Sequence, residues 1–148
     1  MELNKPEFKQ EVREQPPELP PLLEKHQEFT VWVLAKVRKF PKDLRYSFGS
    51  HLAQNSLFIM DLLTEALYIG KGGKRNAVLQ NISIRIEQLR IQLRMAYSLK
   101  LINGGALHYA VSCIKAEGSM LGGWMKAGRR YAGSESEQMS NKAGHYNG

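Results

Sequence analysis

The sequence has a single cysteine and no long apolar run, and both features bear on the cellular compartment of the protein. Cysteine occurs once, at Cys113, so the chain cannot form an internal disulfide, which is typical of a reducing compartment. No apolar run approaches the roughly 18 residues that a membrane-spanning helix needs. The opening residues MELNKP contain no apolar stretch like that of a secretory signal. We therefore expect a cytoplasmic protein.

Catalytic and metal-binding patterns are also lacking. The four histidines form no His-x-x-x-His or Glu-x-x-His pair that would face a metal from one side of a helix. We expect His26 to be a core or boundary residue and Cys113 a small buried hydrophobe. Asp61 and Glu65 lie opposite the predicted core face, where solvation or pairing with a basic residue is expected. The sequence therefore predicts a protein that is not an enzyme and uses no metal or cofactor.

The stretch GKGGKR at residues 70–75 is similar to a phosphate-binding loop only in composition. It has neither a preceding strand nor the Gly-x-x-x-x-Gly-Lys-Ser/Thr spacing. It is a basic turn leading into a helix, and the free N–H groups of a helix N-terminus favour anions. A solvated connection between two helices is the alternative interpretation.

Positive charge is concentrated in the middle of the chain. The net charge is +7, but residues 22–131 hold 17 basic and 7 acidic residues, a net charge of +10. A compact domain with that imbalance repels itself, and a polyanion is the commonest partner that offsets it. Solubility alone is the other explanation.

Proline, serine and glycine divide the chain into a folded domain with two arms. Five of the six prolines lie in residues 1–21, which are predicted to form an acidic, flexible arm. Residues 132–148 are rich in serine and glycine and are predicted to form a flexible tail. Residues 22–131 remain as one domain, long enough to bury a core.

Apolar residues repeat at helical spacing in four segments, at about residues 22–39, 42–69, 74–102 and 106–127. Pro41 separates the first two segments, and glycine-rich turns separate the others. No segment alternates with the period of a strand. Short loops between long helices predict an all-α, up-down-up-down antiparallel four-helix bundle. The predicted core faces are Leu22, His26, Phe29, Val33, Val37 and Phe40; Phe48, Leu52, Ser56, Ile59, Leu62, Leu63 and Ala66; Ile82, Ile86, Leu89, Leu93 and Ala96; and Leu107, Ala110, Val111, Ile114, Gly118, Leu121 and Met125.

The third predicted helix has a second apolar stripe roughly opposite its core face. A helix at the centre of a bundle can be buried on more than one side, but a simple four-helix bundle needs only one broad stripe per helix. Trp32, Leu57 and Tyr68 also lie off the predicted core faces. This surplus predicts a homo-oligomer or a large partner surface. The predicted oligomer interface consists of Ile84, Ile91, Met95, Ile102 and Trp124.

Arginines one turn apart lie on the flank between the two stripes. Arg90 and Arg94 are spaced to clamp successive phosphates through their planar, multi-donor guanidinium groups. Pairing of Arg90 with Glu87 or with an acidic residue of another subunit is the alternative. No RNA- or DNA-binding fingerprint is present, so sequence-nonspecific backbone contacts are favoured over base readout. The further nucleic-acid-binding candidates, chosen from charge alone, are Lys71, Lys74, Arg75 and Arg85.

Four segments in order along residues 22–130 carry a likeness to a known family: KFPK at 39–42, RYSFG at 45–49, LRIQLRMA at 89–96 and EGSMLGGWMK at 117–126. They resemble the accessory variability determinant (Avd) proteins of diversity-generating retroelements. The last three are similar to that family's Arg-Phe-Thr-Leu-Gly, Leu-Arg-x-Leu-Leu-Arg-Leu-Ala and Ile-Gly-Arg-x-Leu-Gly-Gly-Trp-x-Lys patterns. The wider superfamily includes four-helix proteins encoded in ribosomal RNA intervening sequences, and the Gly-Gly-Trp segment favours the retroelement branch.

The resemblance implies a four-helix protomer in a homopentameric barrel with a positive surface. Such a protein partners a reverse transcriptase and its template RNA, supports mutagenic cDNA synthesis, and has no catalytic site. The motif match carries over Arg90 and Arg94 as nucleic-acid contacts. Ser119 and Leu67 stand where the family tends to have arginine, so a smaller basic surface is expected. Two competing hypotheses are a protein–protein adaptor that docks an acidic partner and a ribosomal RNA intervening-sequence protein.

Overall fold

The computed structural model describes the backbone of residues 20–144, and the side chains of residues 20–129, 138, 140 and 141. Residues 1–19, which include most of the predicted acidic arm, lie outside the described residues. Within residues 20–144 the chain is helical and contains no strand, so the predicted all-α class is confirmed. The helices are α1 (Pro21–Val37), α2 (Lys42–Arg45), α3 (Phe48–Ile69), α4 (Gly73–Ser98) and α5 (Gly104–Gly144).

The four long helices pack together in a cycle, in which α1 contacts α3, α3 contacts α4, α4 contacts α5, and α5 contacts α1. The short helix α2 rests on α3. Helix α4 therefore lies between α3 and α5, on the far side of the cycle from α1. In the part of the chain that the structure describes, no helix is long and apolar enough to cross a membrane.

The core faces predicted for the first three helices are confirmed, except that Phe48 is only partly buried. In α4 the side chains of Ile82, Ile86 and Leu89 are buried, as are those of Leu93 and Ala96 one and two turns further on. The face predicted for α5 is only partly right. Gly118 is exposed, whereas Cys113 and Glu117 are buried in its place. The predicted core face of this helix did not include Glu117, because it consists of apolar residues and a glycine. The structure places Glu117 in the core, where it pairs with His26.

The predicted second helix, residues 42–69, is interrupted at Tyr46 and Ser47, where φ and ψ of Ser47 are −106° and −92°. Side-chain hydrogen bonds to the backbone compete with the helix here. Ser47 Oγ donates to the Asp43 carbonyl at 2.8 Å, and Arg45 Nε donates to the Phe40 carbonyl at 3.1 Å. The break turns the start of α3 against the end of α1. Gly49 permits this approach, because a Cβ there would lie 3.0 Å from Val37 Cγ1.

Helix α4 ends at Ser98, four residues before the predicted boundary. Lys100 adopts a left-handed conformation with φ of 60°, and the Leu101 N–H donates to the Ala96 carbonyl at 2.9 Å. This is the hydrogen-bond pattern of a Schellman motif. Ile102 therefore lies in the turn after the helix and is only 7% exposed. Its predicted place on the outward stripe is wrong, because helical spacing does not extend beyond Ser98.

Helix α5 begins at an asparagine cap and continues past its predicted end. The Ala106 N–H donates to Asn103 Oδ1 at 2.8 Å, which satisfies one of the free donors of the first turn. The helix runs to Gly144, so the predicted end near residue 127 is wrong. The extension contains the strong helix formers glutamate, glutamine, methionine and lysine among its serines and glycines. The serine and glycine content of residues 132–148 predicted a flexible tail, but the helix includes residues 132–144 of it.

A buried polar interaction joins three of the long helices. His26 of α1 and Glu117 of α5 are both 0% exposed, and His26 Nδ1 lies 3.0 Å from Glu117 Oε2. The other ring nitrogen, His26 Nε2, donates to the backbone carbonyl of Ser56 in α3 at 2.8 Å. The prediction that His26 is a core or boundary residue is confirmed, because its side chain is fully buried. Both of its ring nitrogens have hydrogen-bonding partners. Burying either side chain without the other would leave an uncompensated polar group in the core.

We expect Glu117→Leu to destabilise the protein by about 3 kcal/mol, because it leaves a ring nitrogen of His26 buried without a partner. The double replacement His26→Leu with Glu117→Leu should recover most of that loss, since it removes both polar groups. Urea denaturation of the three proteins measures the difference. Glu87→Leu, at an exposed position of α4, is the matched control and should stay within about 0.5 kcal/mol of the parent. A double variant no more stable than Glu117→Leu would contradict the interpretation.

Candidate nucleic-acid interface

The six predicted nucleic-acid-binding residues lie in three separate places along α4 and the turn before it. Arg90 and Arg94 lie in the C-terminal half of the helix, on one flank of its core face. Arg85 is about 140° around the helix from Arg90, because successive residues rotate by about 100°. The remaining three, Lys71, Lys74 and Arg75, lie at the N-terminal end. The predicted basic surface is therefore divided rather than continuous.

Arg90 and Arg94 differ in their surroundings. Arg90 Nη2 lies 3.4 Å from Glu87 Oε1 one turn away, so the predicted alternative of pairing with Glu87 is confirmed. The two side chains are 32% and 58% exposed, and such a surface pair contributes little to stability. Arg94 is exposed. Among the described side chains, Arg94 therefore has no carboxylate partner, whereas a phosphate at Arg90 would compete with Glu87.

Arg85 faces α3 rather than open solvent. Its guanidinium carbon lies 4.1 Å from the centre of the Phe58 ring, in cation–π geometry. Asn55 of α3 donates through Nδ2 to the Arg85 carbonyl at 3.2 Å and to Gln92 Oε1 at 3.2 Å. Arg85 thus belongs to the contact between α3 and α4, which charge alone did not predict.

An open groove of about 300 Å³ lies beside this contact. We call it the carboxamide groove, because four of its lining side chains are amides. Its lining residues in α3 and α4 recur at three- and four-residue spacing, which places each set on one helix face. The spacing of Gln88 and Gln92, one helical turn apart, is visible in the sequence, but it does not show that Gln54 and Asn55 lie opposite them. The groove is lined by His51, Gln54, Asn55 and Phe58 of α3 and by Arg85, Gln88 and Gln92 of α4.

The basic turn before α4 needs its glycines. Gly70 and Gly72 have φ of 76° and 150°, conformations that other residues rarely adopt. Lys71 and Lys74 are exposed. Arg75 instead folds onto α5, where its guanidinium carbon lies 4.5 Å from the centre of the Trp124 ring. Burial lowers the pKa of Arg75 from its ordinary value, and it remains a cation because arginine is effectively always protonated.

The outward apolar stripe of α4 is present in the structure. Ile84 is 59% exposed, Ile91 57% and Met95 48%, all on the face away from the core. Two members of the predicted interface differ from this picture. Ile102 is buried, as described above, and Trp124 is half-buried against Arg75. Three large apolar side chains therefore remain exposed along about three turns of one helix.

Among the side chains described, no three of His, Cys, Asp and Glu come close enough together to hold a metal ion. Cys113 is buried in α5, as predicted. The chain matches no protein-family model, and no curated protein or solved structure matches it. The Avd resemblance therefore rests on the four sequence segments.

We expect Arg85→Ala to lower the free energy of unfolding by about 1 kcal/mol, because it removes the stacked guanidinium and its aliphatic stem from Phe58. Arg94→Ala should change it by less than about 0.5 kcal/mol, since Arg94 is exposed. Urea denaturation of both variants tests this contrast, and they are matched in charge. Equal stabilities would show that the Phe58 contact contributes nothing to the fold.

Proposed function

We propose that the protein is a nonenzymatic, nucleic-acid-binding accessory protein of the Avd type. In this role it associates with a retroelement reverse transcriptase and its template RNA and supports mutagenic cDNA synthesis. The observation that carries the proposal is the arrangement of the LRIQLRMA segment on α4. Its two leucines, Leu89 and Leu93, are buried, while the neighbouring Arg90 and Arg94 keep their guanidinium groups at the surface. The motif therefore combines core packing with a cationic edge on one helix.

Charge supports a polyanionic partner over an acidic protein. Residues 22–131 have a net charge of +10, and Lys71, Lys74 and Arg94 are exposed on or beside α4. Cations spread over a length of helix suit the repeated phosphates of a nucleic acid, each of which releases counterions when it is neutralised. Because the cations lie in three places, the contact surface extends along α4 instead of forming one pocket.

We further propose that the four helices run up-down-up-down and that the protomers form a homopentamer. The short connections between successive long helices support the first statement. The exposed side chains of Ile84, Ile91 and Met95 support assembly, since apolar residues gathered on one face of a surface helix are typical of a protein interface. The number of five protomers comes from the Avd resemblance. In such an assembly α4 supplies both the contact between protomers and the cations at its edge.

The double variant Arg90→Ala with Arg94→Ala should weaken binding of a generic RNA at least tenfold at low salt. Loss of two phosphate contacts should also reduce the slope of log K against log salt by about 2. Fluorescence anisotropy over a salt titration measures both. Arg38→Ala with Lys39→Ala, at the end of α1 across the cycle of helices, removes the same charge and should have a much smaller effect. If the two double variants weaken binding equally, net charge and not the α4 edge is responsible.

Wild-type protein that binds neither RNA nor DNA at low salt would overturn the nucleic-acid role altogether. An acidic protein partner and solubility alone would then be the remaining explanations for the basic surface.

Ile91→Asp should reduce the oligomer to smaller species, because it places a charge in the centre of the exposed apolar stripe. Light scattering measures the mass directly. Val31→Asp, at an exposed apolar position on α1, is the matched control and should leave the mass unchanged. An unchanged mass in both variants would show that the stripe on α4 does not join protomers.

A further inference from the structure

We propose that the carboxamide groove between α3 and α4 binds one unpaired nucleobase of a single-stranded nucleic acid. The proposal rests on the proposed function and deepens it. Backbone contacts alone carry no direct sequence information, whereas a groove that holds a base requires an unpaired one and so favours single strands. The argument depends on the hydrogen-bonding chemistry of the groove, its stacking surface, its rigidity and its size.

The lining side chains match the edge of a base better than a phosphate. Gln54, Gln88 and Gln92 each carry a carboxamide, which both donates and accepts hydrogen bonds. Base edges present donors and acceptors side by side, and amide side chains pair with them in bidentate fashion. A phosphate offers acceptors only and is best met by several cations. Arg85 is the one permanently charged side chain that lines the groove, and no carboxylate lines it.

Arg85 and Phe58 provide a stacking surface at the side of the groove. One face of the planar guanidinium lies on the Phe58 ring at 4.1 Å. Unpaired bases stack on arginine planes as well as on aromatic rings. Arg85 and Phe58 both line the groove, so a base bound there would meet a guanidinium and an aromatic ring, and the Arg85 charge would attract the adjoining phosphate.

Asn55 holds part of the groove in a fixed arrangement. Its side chain is only 7% exposed, and its Nδ2 donates to both the Arg85 carbonyl and Gln92 Oε1. The Gln92 oxygen is thus engaged, which leaves the Gln92 NH₂ group as a donor toward the groove. Among the described residues, Asn55 Oδ1 and Arg85 Nε have no hydrogen-bond partner although both atoms are buried. The packing of α3 on α4 beside the groove therefore leaves two buried polar atoms unsatisfied.

The size of the groove suits one base. Its volume of about 300 Å³ is at the lower end of the range for small-molecule sites, which is about 300–1,000 Å³. His51 and Gln54 at the α3 side are exposed, so the chain on either side of a bound base can leave along the surface. A groove of this size has room for a single ring system.

The test compares binding of short RNA and DNA oligonucleotides with the same oligonucleotides carrying abasic sites, which keep every phosphate. Wild-type protein should bind at least one intact strand about tenfold more tightly than its abasic form, the effect of losing one well-held base. Gln54→Ala with Gln88→Ala should reduce this preference to about twofold or less. Because no charge is removed, the salt dependence should stay that of the wild type.

The matched control is Gln27→Ala with Gln80→Ala, two exposed glutamines outside the groove, and it should keep the full preference. All four glutamines are on or near the surface, so folding is not expected to change. If wild-type protein binds intact and abasic strands equally, the groove takes no base, while the proposed backbone binding stands. If the Gln54 and Gln88 variant keeps the preference, the base is read elsewhere and the assignment is wrong. If no strand is bound, both proposals fall.

Discussion

The hydrogen-bonded pair of His26 and Glu117, with the Ser56 carbonyl on the second ring nitrogen, is the constraint on which the packing of the helices depends. Apolar side chains can repack in another register if total volume and patterning are kept, at the cost of precise complementarity. A buried carboxyl and a buried imidazole do not. A shift of α5 by one turn relative to α1 would leave both groups unpaired in an apolar core. The pair therefore selects one register among those that hydrophobic packing alone would accept.

Within this packing, each side of α4 carries a different set of side chains. Its core stripe packs between α3 and α5, and its opposite stripe of Ile84, Ile91 and Met95 remains exposed. The flank toward α3 contributes Arg85 to a polar groove, and the other flank carries Arg90 and Arg94. Because the two flanks are separated by the width of the helix, a strand bound along α4 would cross the outward stripe or the end of the helix to reach both. Under the proposed function, assembly through the outward stripe and nucleic-acid contact at the two flanks would therefore use adjoining surfaces of α4.

Much of this arrangement is predictable from the sequence, and the exceptions share physical causes. Helical periodicity located the four long helices and the core faces of α1, α3 and α4, since it depends only on apolar spacing. It failed at Ile102, where a lysine in the left-handed conformation ends α4 early. It also failed at Glu117, because a charged residue is assigned to the surface unless its distant partner is known. Charge made Arg85 a candidate but did not predict its contact with Phe58 on α3. The carboxamide groove was not predicted for the same reason, because it depends on how α3 packs against α4.

The contact between Arg75 and Trp124 gives the molecule an internal optical reporter. The sequence has two tryptophans, and each lies beneath a different cation: Trp124 under Arg75 beside the basic turn, and Trp32 under Lys36 on α1. Indole emission responds to a charge held over the ring. Under the proposed function, a phosphate bound at Lys71 and Lys74 would compete for the Arg75 guanidinium and change the field at Trp124, while Trp32 lies on another helix, α1. Binding of a phosphate at the N-terminal end of α4 could thus be monitored by the intrinsic fluorescence of Trp124, without an added label.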